Sequence, residues 1–219
     1  MLCEHRPFGG HPLGYELQKK SLRASEQQRP DVKRKRAQWR RKMRQVDPAR
    51  LICLDESSAN TSMKRLSGWA AKAARLVDAV PGGHWRTTTM LSAIRSSKVA
   101  TAMVIEGPID GTVFVGFVEH FLVPVLGPGD IVVMDNLPSH KVKGVREAIE
   151  STGAELWYLP PYSPDLNPIE PMWSKVKAKL RSLARRTTTA LYRAIGTALR
   201  QVTPEECSNY FAHCGYTAT

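Results

Sequence analysis

Asp55, Asp135 and Glu170 are the residues of this 219-residue chain best placed to do chemistry together. Asp55 sits in LICLDES, Asp135 in IVVMDNLPSH and Glu170 in LPPYSPDLNPIEPMW. The two aspartates each end an apolar run of strand length, and the glutamate opens a segment of helical periodicity just after a Pro-rich turn. Acids at strand ends and at a helix start can converge. Such a cluster suits hard divalent cations, because oxygen ligands, water and substrate phosphate complete their octahedral shell. Cleavage of a phosphodiester by two ions roughly 3.5–4 Å apart uses one carboxylate to bridge the ions and others to hold each singly. Asp55 or Asp135 is expected to bridge and Glu170 to bind one ion, with two Mg²⁺ ions as the cofactor and Mn²⁺ as a substitute. Taken singly, each acid has an inert reading: Asp55 as a turn cap beside Ser57, Asp135 as an Asx-turn before Pro138, Glu170 as a favourable charge on a helix N-terminus. Their combination is harder to explain by turns alone.

The elements that position them can be read from the pattern. The run from Arg50 to Asp55 reads as a buried strand ending at Asp55. His84 to Ile94 and Val99 to Ile105 are β-rich and joined by RSSK as a hairpin, completing an antiparallel set of three. Gly111 to Leu126 has the apolar spacing of an amphipathic helix closed by Pro128 and Gly129. Asp130 to Met134 is a second buried strand, Val142 to Glu150 a helix, and Ala154 to Leu159 a third strand stopped by Pro160 and Pro161. Ile169 to Leu183, Thr189 to Val202 and Pro204 to His213 are closing helices. The fold class is therefore α/β, a mixed sheet flanked by helices, and ligands in such sheets bind beyond the carboxyl ends of parallel strands.

Charge is uneven. Residues 1 to 50 hold 14 Lys or Arg against 5 Asp or Glu, and residues 51 to 219 hold 18 against 15. The run VKRKRAQWRRKMR, residues 32 to 44, makes a basic helix that favours polyanions, with Lys33, Arg34, Lys35, Arg36, Arg40, Arg41 and Lys42 as expected DNA-backbone contacts. Lys175 joins them from the helix after Glu170. The bland alternative is a solvated helix that packs through Trp39 and Met43. No run approaches the length of a membrane span, and the N-terminus lacks the apolar core of a signal peptide, so a cytoplasmic protein with no membrane partner is expected. The four cysteines are scattered and fit neither a disulfide framework nor a zinc site.

VMDNLPSHK together with LPPYSPDLNPIEPMWSKVK, and LDES upstream, resembles the catalytic core of DDE transposases of the mariner superfamily, in its bacterial insertion-sequence branch. The 34 residues between Asp135 and Glu170 are similar to that branch's spacing, and the resemblance runs from about Ser21 to the C-terminus. It implies a ribonuclease H-like fold with Asp55, Asp135 and Glu170 as the metal-binding triad. It implies hydrolysis at the ends of a mobile element followed by attack of the freed 3′-hydroxyl on target DNA. It also implies a homodimer on DNA. Asn136 and His140 either contact the scissile phosphate or fix the turn after the strand; Asn167 shapes the loop that sets Glu170. On this reading residues 1–17 are irregular, 18–48 form a basic helical arm and 49–219 the catalytic domain.

Full-length relatives carry paired helix-turn-helix modules before the core, which residues 1–17 do not resemble. Sequence-specific recognition is then expected from a helix-turn-helix partner encoded by an upstream reading frame. The alternative is a catalytically silent DNA-binding remnant. A structure-selective nuclease is a third reading, against which PYSPDLNPIE argues by resemblance.

Overall fold

Leu51, Ile52, Cys53 and Leu54 are all buried, which consecutive strand residues achieve only when helices cover both faces of their sheet. They open β1 (Leu51–Asn60), the centre of a five-stranded sheet that includes β2 (Thr87–Arg95), β3 (Lys98–Glu106), β4 (Ile131–Met134) and β5 (Glu155–Tyr158) in the order β3-β2-β1-β4-β5. β1, β2 and β3 pair antiparallel, whereas β1, β4 and β5 pair parallel. The helices are α1 (Pro30–Met43), α2 (Gly111–Phe117), α3 (Val145–Glu150), α4 (Ile169–Leu183), α5 (Thr188–Arg200) and α6 (Pro204–His213). This computed structural model describes residues 24–65, 67–70, 75–79 and 83–217, so the segment 1–17, expected to be irregular, lies outside the described residues.

Side chains alternate across a sheet, and the core divides accordingly. Leu51, Cys53, Ile131 and Val133 pack with residues of α1, α4, α5 and α6. Ile52, Leu54, Val132 and Met134 pack on the other face with Phe114, Phe117, Val145 and Ile149. By the same parity Asp55 belongs to the face covered by α4.

Two expectations are corrected. Asp55 does not end its strand: β1 continues to Asn60 paired with β2, while its pairing with β4 stops at Cys53. The edge at Asp55 exists because β4 is short. The single helix expected over Gly111 to Leu126 is α-helical only to Phe117, then opens into a π-turn over Val118–Leu122 and a 3₁₀ turn over Val123–Val125. Pro124 has no N–H for the carbonyl four residues back, and wider or tighter turns relieve that mismatch.

The basic helix packs on the core along one stripe. Val32, Arg36, Trp39 and Met43 are its buried residues, spaced as one helical face requires. Trp39 Nε1 donates to the Tyr216 hydroxyl at 2.8 Å, and that hydroxyl donates to the Leu166 carbonyl at 2.6 Å. Tyr216 is buried, so Tyr216→Phe strands two buried polar groups. We expect a loss of about 2 kcal/mol, read as a lower urea midpoint at unchanged slope.

Candidate active site

Asp55 is 7% exposed on β1, where the central strand outruns its parallel neighbour. Asp135 follows the last residue of β4, and its Oδ1 accepts from the Leu137 amide at 3.2 Å. The Asx-turn is therefore present, and it leaves the second carboxylate oxygen available. Glu170 lies in the first turn of α4, whose buried stripe of Ile169, Met172, Trp173, Val176 and Leu180 anchors it to the sheet. All three acids, with Asn136 and Asn167, line one cavity of about 420 Å³ whose far wall is the Leu159–Pro164 segment.

The acids sense one another. Burial first, and then the negative charge of Glu170 with a smaller share from Asp135, push the Asp55 carboxyl up to about 7. Burial also raises Glu170, opposed by Lys177 and reinforced by Asp135. Such charge without compensation is what a cation relieves. Among the described residues no three His, Cys, Asp or Glu side chains close into a cage around one ion. Mg²⁺ does not need one, because it takes one or two carboxylates and keeps water and substrate oxygens. Asn167 adds a carbonyl-type oxygen: its Oδ1 is buried and has no partner among the described residues. The donor set is all oxygen, and it fits a hard divalent cation.

One consequence is measurable without metal. The Asp55 carboxyl is raised in the folded chain, so folding favours its protonated form; that stability is present below about pH 4 and is lost as pH rises through about 7. In EDTA, Asp55→Asn is expected to melt roughly 5 °C above the parent at pH 8. The gap should close towards pH 4. Thermal melts across this range check it; a gap that does not change with pH contradicts it.

His140 is fully buried, stacked on Phe114 with ring centroids 4.5 Å apart. Its Nδ1 lies 2.5 Å from Asp135 Oδ1. Burial lowers the pKa of the imidazole, but the contact with Asp135 and the charges of Asp135 and Glu56 outweigh it, and the net shift is upward. His140 therefore braces Asp135 from below. Asn136 is exposed at the cavity mouth.

The segment between β5 and α4 is held from the N-terminal side. Arg36 Nη1 and Nη2 clamp Asp165 at 2.9 and 2.6 Å, and Nη1 also donates to Ser163 Oγ at 2.7 Å. Gln27 Nε2 donates to the Tyr162 carbonyl at 2.7 Å, at a residue whose φ of 55° is uncommon for a side chain of that size. The Arg36 guanidinium holds the Asp165 carboxyl below its ordinary range.

The expected DNA-contacting cations thus divide. Lys33, Arg34, Lys35 and Arg41 are exposed on α1. Arg40 reaches Asp165 at 3.8 Å, and Lys42 lies over the Trp157 ring. Arg36 is buried in the clamp and faces no solvent-borne partner. Lys175 turns to the other end of the molecule, where its ammonium meets the Glu206 carboxylate and the Gln201 carbonyl. The clamp has no signature in the sequence, because nothing local to Arg36 marks Asp165, 129 residues on, as its partner.

No curated protein matches the sequence. Among solved structures, the chain is similar to the Mos1 transposase paired-end complex with left transposon end, at 16% identity and a TM-score of 0.72 over 91% of this chain and 63% of that one. The mariner Mos1 paired end complex with Mg gives 14%, 0.72, 91% and 64%. The catalytic domain of Mos1 mariner transposase gives 14% and 0.63, over 90% of this chain and 92% of that one. The chain thus spans just under two thirds of the longer chains it matches, and at these identities the likeness establishes the fold, a ribonuclease H-like mixed sheet. The family described as DDE superfamily endonuclease matches residues 50–191, a span that includes Asp55, Asp135 and Glu170. The chain belongs to the DDE endonuclease superfamily.

Proposed function

We propose that this chain is the catalytic part of a transposase of the mariner superfamily, in its bacterial insertion-sequence branch, and that it cuts DNA at the ends of a mobile element and joins them to target DNA. The observation that carries this reading is the single cavity on which Asp55, Asp135 and Glu170 converge from β1, the end of β4 and the start of α4. The three acids and Asn167 would hold two divalent ions, Mg²⁺ or Mn²⁺. Bound there, such ions supply activation of the attacking oxygen and stabilisation of the leaving one.

The chain's own residues do the rest. Asp135 is oriented by the Leu137 amide and braced by His140. Glu170 is aimed by a loop clamped to α1. Lys33, Arg34, Lys35 and Arg41 on α1 attract the phosphate backbone, and Asn136 at the cavity mouth is placed to meet the strand being cut. Two copies act on paired ends, in the cytoplasm, with sequence recognition from a helix-turn-helix partner encoded upstream. Among the described residues no helix is long and apolar enough to cross a membrane.

The test is end-specific cutting. The chain, mixed with the upstream frame's product, Mg²⁺ and DNA carrying the element's inverted repeats, is expected to nick at the repeat ends and to join them to a second duplex. Binding without cutting in every such mixture leaves the silent remnant as the better reading.

A further inference from the structure

From Pro171 to Thr203 the chain contains eight Lys or Arg and no Asp or Glu. This stretch forms most of α4 and all of α5. Within it, Lys175 is neutralised by Glu206 and Arg186 donates to the Thr61 and Met63 carbonyls. Lys179, Arg185 and Arg193 are exposed and take part in no ion pair among the described residues.

These three cations line a separate cavity of about 520 Å³ together with Thr187, Thr189 and Thr197. Among the described residues no carboxylate lines it. It also shares no residue with the cavity of the three acids. Helix geometry explains the separation: Lys179 follows Glu170 by nine residues, which at about 100° per residue puts it on the opposite face of α4, roughly 14 Å further along the axis. The groove is bounded by Lys179 on α4, Arg185 in the turn, which follows a left-handed Ala184 (φ 44°), and Arg193 on α5. Cations on three sides of a shallow groove rimmed by exposed threonines match a sugar–phosphate backbone, which takes charge-assisted contacts from Lys and Arg.

We propose that the α4–α5 groove is a second DNA-binding site, holding the backbone of a duplex segment other than the one in the acidic cavity. It deepens the transposase reading and rests on it: a protein that cuts one stretch of DNA and joins it to another must hold both. The groove lies on the far side of α4 from Glu170, so the segment it grips is not the scissile one.

The test is the salt dependence of binding to a duplex of generic sequence, measured in EDTA with the parent and with a Lys179→Ala/Arg185→Ala/Arg193→Ala variant. Loss of three phosphate contacts should reduce the slope of log K against log salt by about 2 to 3, with at least tenfold weaker binding at moderate salt. A parallel Lys33→Ala/Arg34→Ala/Lys35→Ala variant should lower the slope independently, so that the combined variant shows the sum. An unchanged slope in a groove variant whose melting temperature matches the parent overturns the proposal. So does a slope that falls equally for poly-glutamate, which would assign the groove to an acidic protein. Because no metal is present, these results do not depend on cutting; absence of end-specific nicking by the unsubstituted chain mixed with the upstream frame's product and Mg²⁺ would overturn the catalytic reading and leave the groove standing.

Discussion

Asp135→Asn is expected to abolish metal-dependent nicking, by at least about a hundredfold, while leaving DNA binding in EDTA within about twofold of the parent. The side chain's size and its acceptor oxygen for the Leu137 amide survive the change, so the Asx-turn after β4 is retained. What is lost is the charge facing the cavity. A second consequence separates this from general damage: one negative charge fewer beside Asp55 and Glu170 relieves repulsion and offsets the lost contact with His140, so the metal-free variant should melt close to the parent at pH 8. Nicking assays on a supercoiled plasmid, with thermal melts on the same preparations, check both. A variant that nicks normally would remove Asp135 from the chemistry.

Arg36→Ala is the second large effect, and it distinguishes two roles for the basic helix. As a backbone contact, Arg36 would matter for affinity. As placed, it matters for the position of Glu170, because its fork joins Asp165 and Ser163 in the loop that leads into α4. The pair is buried on the arginine side and half-exposed on the aspartate side, so its removal is expected to cost about 2 kcal/mol, less than a fully buried pair. A misplacement of about 1 Å at a reacting centre costs on the order of a hundredfold in rate. We therefore expect turnover to fall ten- to a hundredfold with the salt slope of DNA binding unchanged. Arg36→Lys should recover only part, since a lysine cannot reproduce the bidentate contact. Weaker binding with unaltered turnover would return Arg36 to the DNA-contacting set.

These two residues show where the sequence was legible. The run before Asp135 and the helical period after Glu170 are local signals, and α4 has the bounds its apolar spacing predicts. The antiparallel set followed by two parallel strands also follows from local patterns, since each strand is bounded by turn residues. Asp55 was legible as an acid on a buried strand, but its true setting was not. That β1 outruns β4 depends on the length of a different strand, and no pattern within LICLDES records it. The break in α2 was signalled by Pro124, which apolar periodicity alone overrides. The direction of long charged side chains was the least legible feature. Arg36 and Arg34 are alike in sequence, yet one is buried against Asp165 and the other is exposed, because only the helix face in contact with the loop decides. Lys175 and Lys179 differ in the same way, one facing Glu206 and the other the groove between α4 and α5.

Whether Asp55, Asp135 and Glu170 form one metal site can be read from Mn²⁺ binding followed by electron paramagnetic resonance on the parent and on Asp55→Asn, Asp135→Asn and Glu170→Gln. The parent is expected to bind Mn²⁺ more tightly at pH 8 than at pH 6, as the Asp55 proton is released. Each single change should weaken binding at least about tenfold, with Mg²⁺ displacing the Mn²⁺. Mn²⁺ binding that is the same in all four proteins would contradict one shared site.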